Sequence, residues 1–236
     1  MSKIFLILVY LQCALFSSPS EQTSRFILTK DHSENQVAGV TLPSTWWSRP
    51  HEYAWAAQFA GPNLVVLDAA CGISHPFKWF LGETSRETWA CDLDSRIANQ
   101  TELLQVTYDD LGEEAYQVVK MKGQLLKQVN LVHASICDLP DNMPQFDRIF
   151  CISTLEHLDP ISREQALEQF ARNLAPNGLV VLTIDYPKVI PEDLLESASE
   201  AGLVPAKKAH LGTPPEGALS NGSLFIYHCV LKHRSE

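Results

Sequence analysis

Short, continuously apolar runs alternate with amphipathic stretches along most of this chain, from Leu42 onward. Runs such as LVVL and LVVLTI contain no charged position, which is typical of strands that are covered on both faces. The stretches between them have the spacing of helices with one apolar face. This alternation predicts an α/β fold in which helices cover both faces of a mostly parallel sheet. The predicted strands are Leu64–Asp68, Glu87–Cys91, Val129–His133, Phe146–Ile152, Leu179–Ile184 and Leu224–Leu231.

The least regular pattern lies in residues 94–128, which predict one or two helices with a polar loop. Residues 211–223 are rich in Gly, Pro, Ser and Asn, a composition that favours a loop. We find no internal repeat and no low-complexity tract.

The first 20 residues have the outline of a secretory signal peptide: one lysine, an apolar run from Ile4 to Phe16, and then a Ser/Pro stretch. The run is too short to span a bilayer comfortably, and no clean Ala-x-Ala cleavage site follows. The alternative is a strand or helix that packs on the domain. We therefore predict an apolar segment over residues 1–22, signal-like or packed, and a single domain over residues 23–236.

The composition narrows the class of protein. With 236 residues, 45% of them hydrophobic, the chain is long enough to bury a core without disulfides. A formal charge of −10 disfavours nucleic acid as a partner. The six cysteines lack the spacing of zinc ligands and predict no disulfide framework. We expect no resident metal and a cytoplasmic protein, with export or membrane association through residues 1–20 as the alternative.

The candidate chemistry begins in the run NLVVLDAACGISHP, where an apolar strand ends at Asp68 and is followed by small residues and Gly72. A turn at this place puts backbone N–H groups at the carboxyl edge of a sheet, where nucleotide-like ligands bind. Gly72 lets a ligand approach the backbone closely. The next strand, TWACD, ends at Asp92, a carboxylate that can accept hydrogen bonds from both hydroxyls of a ribose. Only one glycine is present, so a dinucleotide fingerprint is weakly supported.

Together these features resemble the class I S-adenosyl-L-methionine-dependent methyltransferases. The first motif of that family, roughly hhDhGCGxG, corresponds here to VLDAACGISHP, and ASICDLPDNMPQFDRIFCISTLEHL resembles its third and fourth motifs. The resemblance covers about Trp46 to Lys232. It implies a Rossmann-like, doubly wound, mostly parallel sheet of seven strands, with the last strand, SLFIYHCVLKH, antiparallel. It also implies S-adenosyl-L-methionine as the cofactor.

The resemblance further implies which residues hold that cofactor. Ser135 stands where the family usually has an acid that meets the adenine, which leaves the adenine contact weaker or mediated by water. The second and third glycines of the family's first motif are also replaced here, by Ser74 and Pro76 or their neighbours. The implied cofactor-binding residues are Asp68, Ala70 and Gly72 around the methionine part, Asp92 at the ribose, Ser135 and Ile136 at the adenine, and in addition Leu93 and Ser153.

A helix near residues 48–60 is predicted upstream, because Pro50 suits a first helical turn and Gly61-Pro62 ends it. In small-molecule members of the family such a helix covers the cofactor. Arg49 is then expected to pair with the methionine carboxylate, and Tyr53 to hydrogen-bond it. The alternative is that the aromatic residues of this segment only dock the helix on the sheet.

Methyl transfer to an O–H or N–H group is helped by a base near the acceptor. The candidates lie where the fourth and fifth strands end: Glu156, His157 and Asp185. The alternative for His157 is a structural histidine. We expect methyl transfer to an oxygen or nitrogen of a small molecule by a monomer or homodimer without a stable membrane span. The alternatives are a non-catalytic cofactor-binding protein and, less favoured by the lone Gly72, a nicotinamide-dependent oxidoreductase.

Overall fold

The computed structural model describes residues 22–234, so nearly all of the predicted segment 1–22 lies outside the described residues. Five helices follow in chain order: α1 Arg49–Ala56, α2 Phe77–Thr84, α3 Gln100–Leu125, α4 Pro160–Asn173 and α5 Pro191–Glu200. Ten strands accompany them: β1 Arg25–Phe26, β2 Gln36–Val37, β3 Val40–Thr41, β4 Val65–Ala69, β5 Glu87–Asp92, β6 Val129–His133, β7 Phe146–Ile152, β8 Leu174–Tyr186, β9 Leu203–Pro205 and β10 Phe225–His233.

The main sheet has the strand order β6-β5-β4-β7-β8-β10-β1, and β9 pairs with β10. Strands β6, β5, β4, β7 and β8 are parallel to their neighbours, whereas β10 is antiparallel to β8. The predicted fold class, a mostly parallel sheet with the last strand antiparallel, is therefore confirmed. The short strands β1 and β9, which the apolar pattern did not predict, bring the sheet to eight strands in the described part of the chain, one more than the seven implied by the resemblance.

The central strand β4 explains why its sequence is continuously apolar. Leu67 and Ala69 pack into the core beneath α4 and α5 and contribute to the same cluster as Phe170. Val66 points to the opposite face and packs with Phe77 of α2 and with α1. Because successive side chains of a strand face opposite sides, a strand with helices on both sides needs apolar residues at every position.

The order of the strands places a crevice beside β4. The chain goes from β4 to β5 on one side of it and later returns to β7 on the other side. Ligands of open α/β sheets bind at such a reversal, beyond the carboxyl ends of the strands. Among residues 22–234, no helix has the length and apolar composition needed to cross a membrane.

The segment 94–128 folds into a short 3₁₀ turn, Ser95–Ala98, followed by the long helix α3. Asn99 begins α3 by accepting hydrogen bonds from the backbone N–H groups of Thr101 and Glu102. Gly112 interrupts the helix with a φ of 83°, a conformation that glycine adopts without steric cost. The polar composition that obscured the pattern therefore belongs to the exposed face of a kinked helix.

The close packing of α2 on β6 gives a stability prediction. A Cβ atom at Gly82 would lie 2.3 Å from Cγ2 of Val129, a stiff side chain that cannot move aside. We expect Gly82→Ala to lower the free energy of unfolding by about 1–3 kcal/mol, the usual cost of overpacking. The matched control is Gly123→Ala in α3, where the nearest atom is 3.6 Å away and alanine favours the helix. Urea unfolding curves that show equal destabilisation by both variants would contradict this packing argument.

Candidate cofactor cleft and acceptor site

A cleft of ≈ 130 Å³ lies at the carboxyl ends of β4 and β7, at the strand-order reversal. Three segments form it: helix α1, the loop after β4, and the residues that follow β7. Its walls therefore come from the predicted lid helix and from two of the predicted motifs. The lining residues are Arg49, Tyr53, Asp68, Ala70, Cys71, Gly72, His75, Phe77, Ile152, Ser153 and Thr154.

The loop after β4 is held in a tight and unusual conformation. Ala70 and Gly72 have φ values of 55° and 64°. The N–H of Gly72 donates to Asp92 Oδ2 over 2.8 Å, and a Cβ atom at Gly72 would lie 2.6 Å from the ring of His75. Position 72 therefore requires glycine for both its backbone angle and its space.

A fully buried lysine supports the same loop from beneath. Lys78 Nζ donates to the carbonyl oxygens of Gly72 at 2.6 Å and His75 at 2.5 Å. Lys78 binds only carbonyl oxygens of the loop, and the N–H of Gly72 donates instead to Asp92. The lysine thus fixes the loop through its carbonyls, which a neutral side chain would do less strongly.

Asp68 is a buried carboxyl group on the wall of the cleft. Its Oδ2 atom has no hydrogen-bond partner among residues 22–234. Burial raises the pKa of Asp68 to about 7, although the positive charge of Lys78 opposes this shift. A buried polar atom without a partner is rare and costly in a folded protein. Asp68 therefore offers an acceptor, or when protonated a donor, to whatever fills the cleft.

Helix α1 is tied to the sheet by the buried carboxylate of Glu52. Its Oε1 accepts hydrogen bonds from Ser153 Oγ and Thr183 Oγ1, both over 2.5 Å, and its other oxygen pairs with Arg49. Burial alone would raise the pKa of Glu52, but Arg49 and the two hydroxyls outweigh it and hold the pKa below its ordinary value. Ser153 reaches Glu52 from a backbone with φ of 44°, rare for a serine.

Arg49 and Tyr53 both line the cleft, but each already has a protein partner. Arg49 is paired with Glu52, and Tyr53 Oη lies 2.5 Å from His75 Nδ1. Burial lowers the pKa of His75 to about 3. The ring is therefore neutral and accepts from the tyrosine hydroxyl. His75 also stacks on Trp46, with 4.0 Å between ring centroids, so the aromatic residues dock α1 while Arg49 and Tyr53 face the cleft.

The predicted ribose and adenine residues lie where β5 and β6 end, next to this cleft. Asp92 accepts from the N–H groups of Gly72 and Asp94, which fixes its carboxylate. Leu93 beside it is 72% exposed, an apolar surface open to a ligand. Ser135 Oγ accepts from the N–H of Cys137, as the carboxylate usual at this place in the resembled family would be able to do.

The predicted catalytic residues come together where β7 and β8 end. Glu156 and His157 lie on a 3₁₀ turn, Leu155–His157, after β7, and Asp185 lies near the end of β8. One side-chain atom from each lies within 4.8 Å of the other two. Burial, with the negative charges of Asp185 and Glu52, raises the pKa of Glu156 to about 8.

The three groups differ in what surrounds them. Neither carboxyl oxygen of Glu156 has a hydrogen-bond partner in the described part of the chain. His157 Nε2 is 3.9 Å from Glu156 Oε1, and its side chain is 62% exposed. Asp185 pairs with Lys188 Nζ over 3.0 Å. The cluster therefore combines one unsatisfied acid, one satisfied acid and one histidine in contact with solvent.

Sequence reasoning did not identify Glu52, Lys78 or Thr183 as parts of this site. Glu52 stands three residues after Arg49 on a helix, the spacing of an ion pair, and this was the available signal. Lys78 is a cation within the apolar run FKWFL, which also marks it as unusual. Thr183 gave no signal, since a threonine in a strand is ordinary.

A second cavity of ≈ 200 Å³ shares no lining residue with the cleft. It lies beside α1 and β10, and the buried ring of His228 forms part of its wall. None of the predicted site residues lines it. The smaller cleft is the better candidate site, because it contains the loop after β4.

Residues 67–182 match the sequence model of a family described as a methyltransferase domain. A search of curated proteins found no match.

Among solved structures, a TehB-like SAM-dependent methyltransferase from Corynebacterium glutamicum aligns with a TM-score of 0.51 at 19% identity, covering 78% of this chain and 87% of that one. The N-methyltransferase NodS from Bradyrhizobium japonicum, solved with S-adenosyl-L-homocysteine, gives 0.56 at 13%, covering 79% and 88%. The [4+2]-cyclase SpnF gives 0.58 at 11%, covering 89% and 88%. At sequence identities this low, the alignments show a shared fold and nothing more.

The buried pair Arg49–Glu52 gives a second stability prediction. We expect Glu52→Gln to destabilise the protein by about 3–5 kcal/mol, because it leaves the Arg49 guanidinium without its counter-charge. The matched control is Asp141→Asn, which breaks the exposed ion pair with Arg172 and should change stability little. Chemical unfolding of both variants measures the difference. Equal, small effects would show that the Glu52 carboxylate is dispensable for holding α1.

The raised pKa of Glu156 predicts how stability depends on pH. The folded state keeps a proton on Glu156 up to about pH 8, whereas the unfolded chain loses it near pH 4.5. Unfolding therefore releases a proton between these values, and stability falls as pH rises. We expect Glu156→Gln to flatten this decline between pH 5 and pH 8, by roughly 4 kcal/mol at most.

Besides burial, the charged groups that act on this pKa are Asp185 and Glu52, which raise it, and Arg49, which lowers it. The exposed Glu164 provides the control, since Glu164→Gln should leave the pH profile of stability unchanged. Urea unfolding at stepped pH values makes the comparison. Parallel profiles for wild type and Glu156→Gln would contradict the prediction.

Proposed function

We propose that this chain is a class I S-adenosyl-L-methionine-dependent methyltransferase, since a methyltransferase family model matches residues 67–182, and that it methylates an oxygen or nitrogen atom of a small molecule. The observation that carries the proposal is the arrangement around the cleft. The loop after β4 and the orphaned acid Asp68 line the cleft, and the cluster Glu156, His157 and Asp185 begins two residues after the lining residue Thr154.

The residues around the cleft fit the cofactor. The bare Oδ2 of Asp68 and the open backbone around Ala70 and Gly72 provide polar contacts for an amino-acid group. Asp92 is fixed by two N–H groups and has further lone pairs for ribose hydroxyls. The exposed Leu93 supplies an apolar surface for a base. When bound, the cofactor supplies a methyl group activated by the positive charge on its sulfur.

In this proposal the chain's own residues bind and orient the two reactants. Arg49 offers the N–H groups that Glu52 leaves free, because a guanidinium has five donors, and Tyr53 lies beside it. Ser153 completes the wall near the methionine part. Ser135 and Ile136 flank the adenine from the end of β6. Alignment of the acceptor behind the methyl group supplies most of the rate enhancement.

The acceptor side requires a base, since an O–H or N–H acceptor loses a proton during transfer. We assign the base to His157, with Glu156 and Asp185 beside it as acids that face the acceptor. His157 is open to solvent and can pass a proton outward. A small-molecule acceptor also suits the charge of the chain, because a net charge of −10 disfavours a polyanionic nucleic acid.

A second candidate function is cofactor binding without methyl transfer. The fold alone does not decide between them, since a protein named as a [4+2]-cyclase has the same fold. The replacement of the usual adenine-binding acid by Ser135 also favours this alternative. Binding of S-adenosyl-L-methionine without transfer to any acceptor would support it.

We propose a cytoplasmic location, where S-adenosyl-L-methionine is made and thiols stay reduced. The five cysteines of the described residues carry no disulfide, and Cys71, Cys91, Cys151 and Cys229 are buried. Burial raises the pKa of these thiols, which makes them poorly reactive.

The proposed cofactor site predicts a thermal shift. We expect S-adenosyl-L-homocysteine to raise the melting temperature by several degrees, because a ligand at 100 times its Kd adds ~2.7 kcal/mol of stability. Asp92→Ala should abolish most of this shift, since it removes the charge-assisted hydrogen bonds to the ribose. Differential scanning calorimetry with and without the ligand measures both effects.

The control for this experiment is Asp141→Ala, which removes an exposed carboxylate on another face and should keep the full shift. A full shift in Asp92→Ala would remove Asp92 from the site. No shift in the wild-type protein would contradict cofactor binding itself.

A further inference from the structure

The carboxyl group of Glu156 is the buried acid in the described part of the chain with both oxygens unsatisfied. It is buried, and neither of its oxygens has a hydrogen-bond partner. Every other acid near it has a cation or donors: Glu52 has Arg49 and two hydroxyls, and Asp185 has Lys188. Buried carboxyl groups in native proteins are normally satisfied. The described part of the protein therefore provides no hydrogen-bond partner for the carboxyl group of Glu156.

The position of Glu156 relates it to the cofactor cleft. Thr154, two residues before it, lines the cleft, and Arg49 on the cleft wall is close enough for its charge to act on Glu156. The carboxyl faces a point where its oxygen, an oxygen of Asp185 and a nitrogen of His157 lie within 4.8 Å of one another. A group that binds at this point would lie next to the cleft that we propose for the cofactor.

We propose that the methyl acceptor is an amine, which binds as its ammonium ion between Glu156 and Asp185. This inference rests on the proposed methyl transfer and names its substrate class. An ammonium group has three N–H donors on a single charge, which matches two converging carboxyl groups. His157 Nε2 lies 3.9 Å from Glu156 Oε1, and its side chain is largely exposed, so the ring has room to move aside for the amine.

Other acceptor classes fit this point less well. A phenolate or carboxylate would face two acids and be repelled. A neutral alcohol would leave the ionised form of Glu156 without a counter-charge. The raised pKa of Glu156 agrees with a site that awaits a cation, because a bound ammonium ion would favour the ionised carboxylate.

The proposed step balances as follows in protons and electrons. The ammonium ion gives one proton to the neutral imidazole of His157, which passes it to solvent. The freed nitrogen lone pair forms the N–C bond to the methyl carbon. The C–S bond breaks with its electron pair on sulfur, which removes the positive charge of the sulfonium. The product is a methylated ammonium ion, which stays paired with Glu156 and Asp185 until it is released.

The substrate class is tested with the full-length protein and an extract of its own host. The extract is first separated on a cation-exchange resin at neutral pH into a retained, cationic pool and an unretained pool. Each pool is then incubated with S-adenosyl-L-methionine carrying a deuterated methyl group, and mass spectrometry locates the label. We expect labelled product only from the cationic pool, with the label on nitrogen.

Label on oxygen, product from the unretained pool, or no product from either pool would overturn the amine assignment. The thermal shift with S-adenosyl-L-homocysteine is measured on the same protein sample. If that shift is absent, the proposed methyl transfer has failed. If it is present, a negative result concerns the acceptor alone.

The role of Glu156 is tested with the product that the cationic pool identifies. Glu156→Gln keeps the shape of the side chain and removes its charge, so KM for the amine should rise at least tenfold while the thermal shift with S-adenosyl-L-homocysteine is retained. Glu164→Gln, an exposed acid on α4, is the matched control and should keep the wild-type KM. An unchanged KM in Glu156→Gln would overturn the ammonium site.

A divalent cation is the competing occupant of the same three groups, and the probe for it is Mg²⁺ alone. We expect no thermal stabilisation by Mg²⁺ and no loss of methyl transfer in EDTA. Stabilisation by Mg²⁺ that Glu156→Gln abolishes, together with loss of activity in EDTA, would show a metal site and overturn the proposal.

Discussion

The carboxylate of Glu52 is the interaction on which the site depends. It lies fully buried and joins three elements, since it pairs with Arg49 on α1 and accepts hydrogen bonds from Ser153 after β7 and Thr183 on β8. A buried ion costs several kcal/mol in lost hydration, which only good partners offset. The protein provides all of these partners, so α1 is held at one position over the sheet edge. That position makes Arg49 and Tyr53 part of the cleft wall.

The two buried acids Glu52 and Glu156 have opposite surroundings. Glu52 is surrounded by donors, and its pKa lies below the ordinary value, whereas Glu156 has none and its pKa is raised. The first acid is ionised and fixes structure. The second remains able to change its charge when a ligand arrives. Groups whose environments push their pKa values apart are typical of sites that handle protons. In the proposed function, Glu156 takes part in the chemistry and Glu52 supports the site.

The fold was accessible from sequence where the signal was local. LVVLDA predicts the central strand because its apolar residues pack alternately on the two faces of the sheet. The two-residue strand β1 was not predicted, because Arg25 and Phe26 form no apolar run and are ordered by pairing with β10. The short strand β9 has the same origin in its pairing with β10.

The residues of the candidate site likewise divide into those with a local sequence signal and those that depend on distant contacts. Asp68, Gly72 and Asp92 were identified from a loop and two strand ends, which are local features. Glu52 was missed because Ser153 and Thr183 lie 101 and 131 residues away along the chain. Lys78 was missed because its partners are backbone carbonyls, which sequence does not distinguish.

The two halves of the site are coupled through α1. Arg49 borders the cleft, pairs with Glu52, and by its positive charge opposes the raised pKa of Glu156. A ligand carboxylate that binds Arg49 would compete with Glu52 for the same guanidinium and would reduce its influence on Glu156. Glu156 would then hold its proton more strongly or bind a cation more tightly, since fewer positive charges would face it. Binding on the cofactor side is thereby linked to the charge of the acceptor side, and linkage of this kind acts equally in both directions.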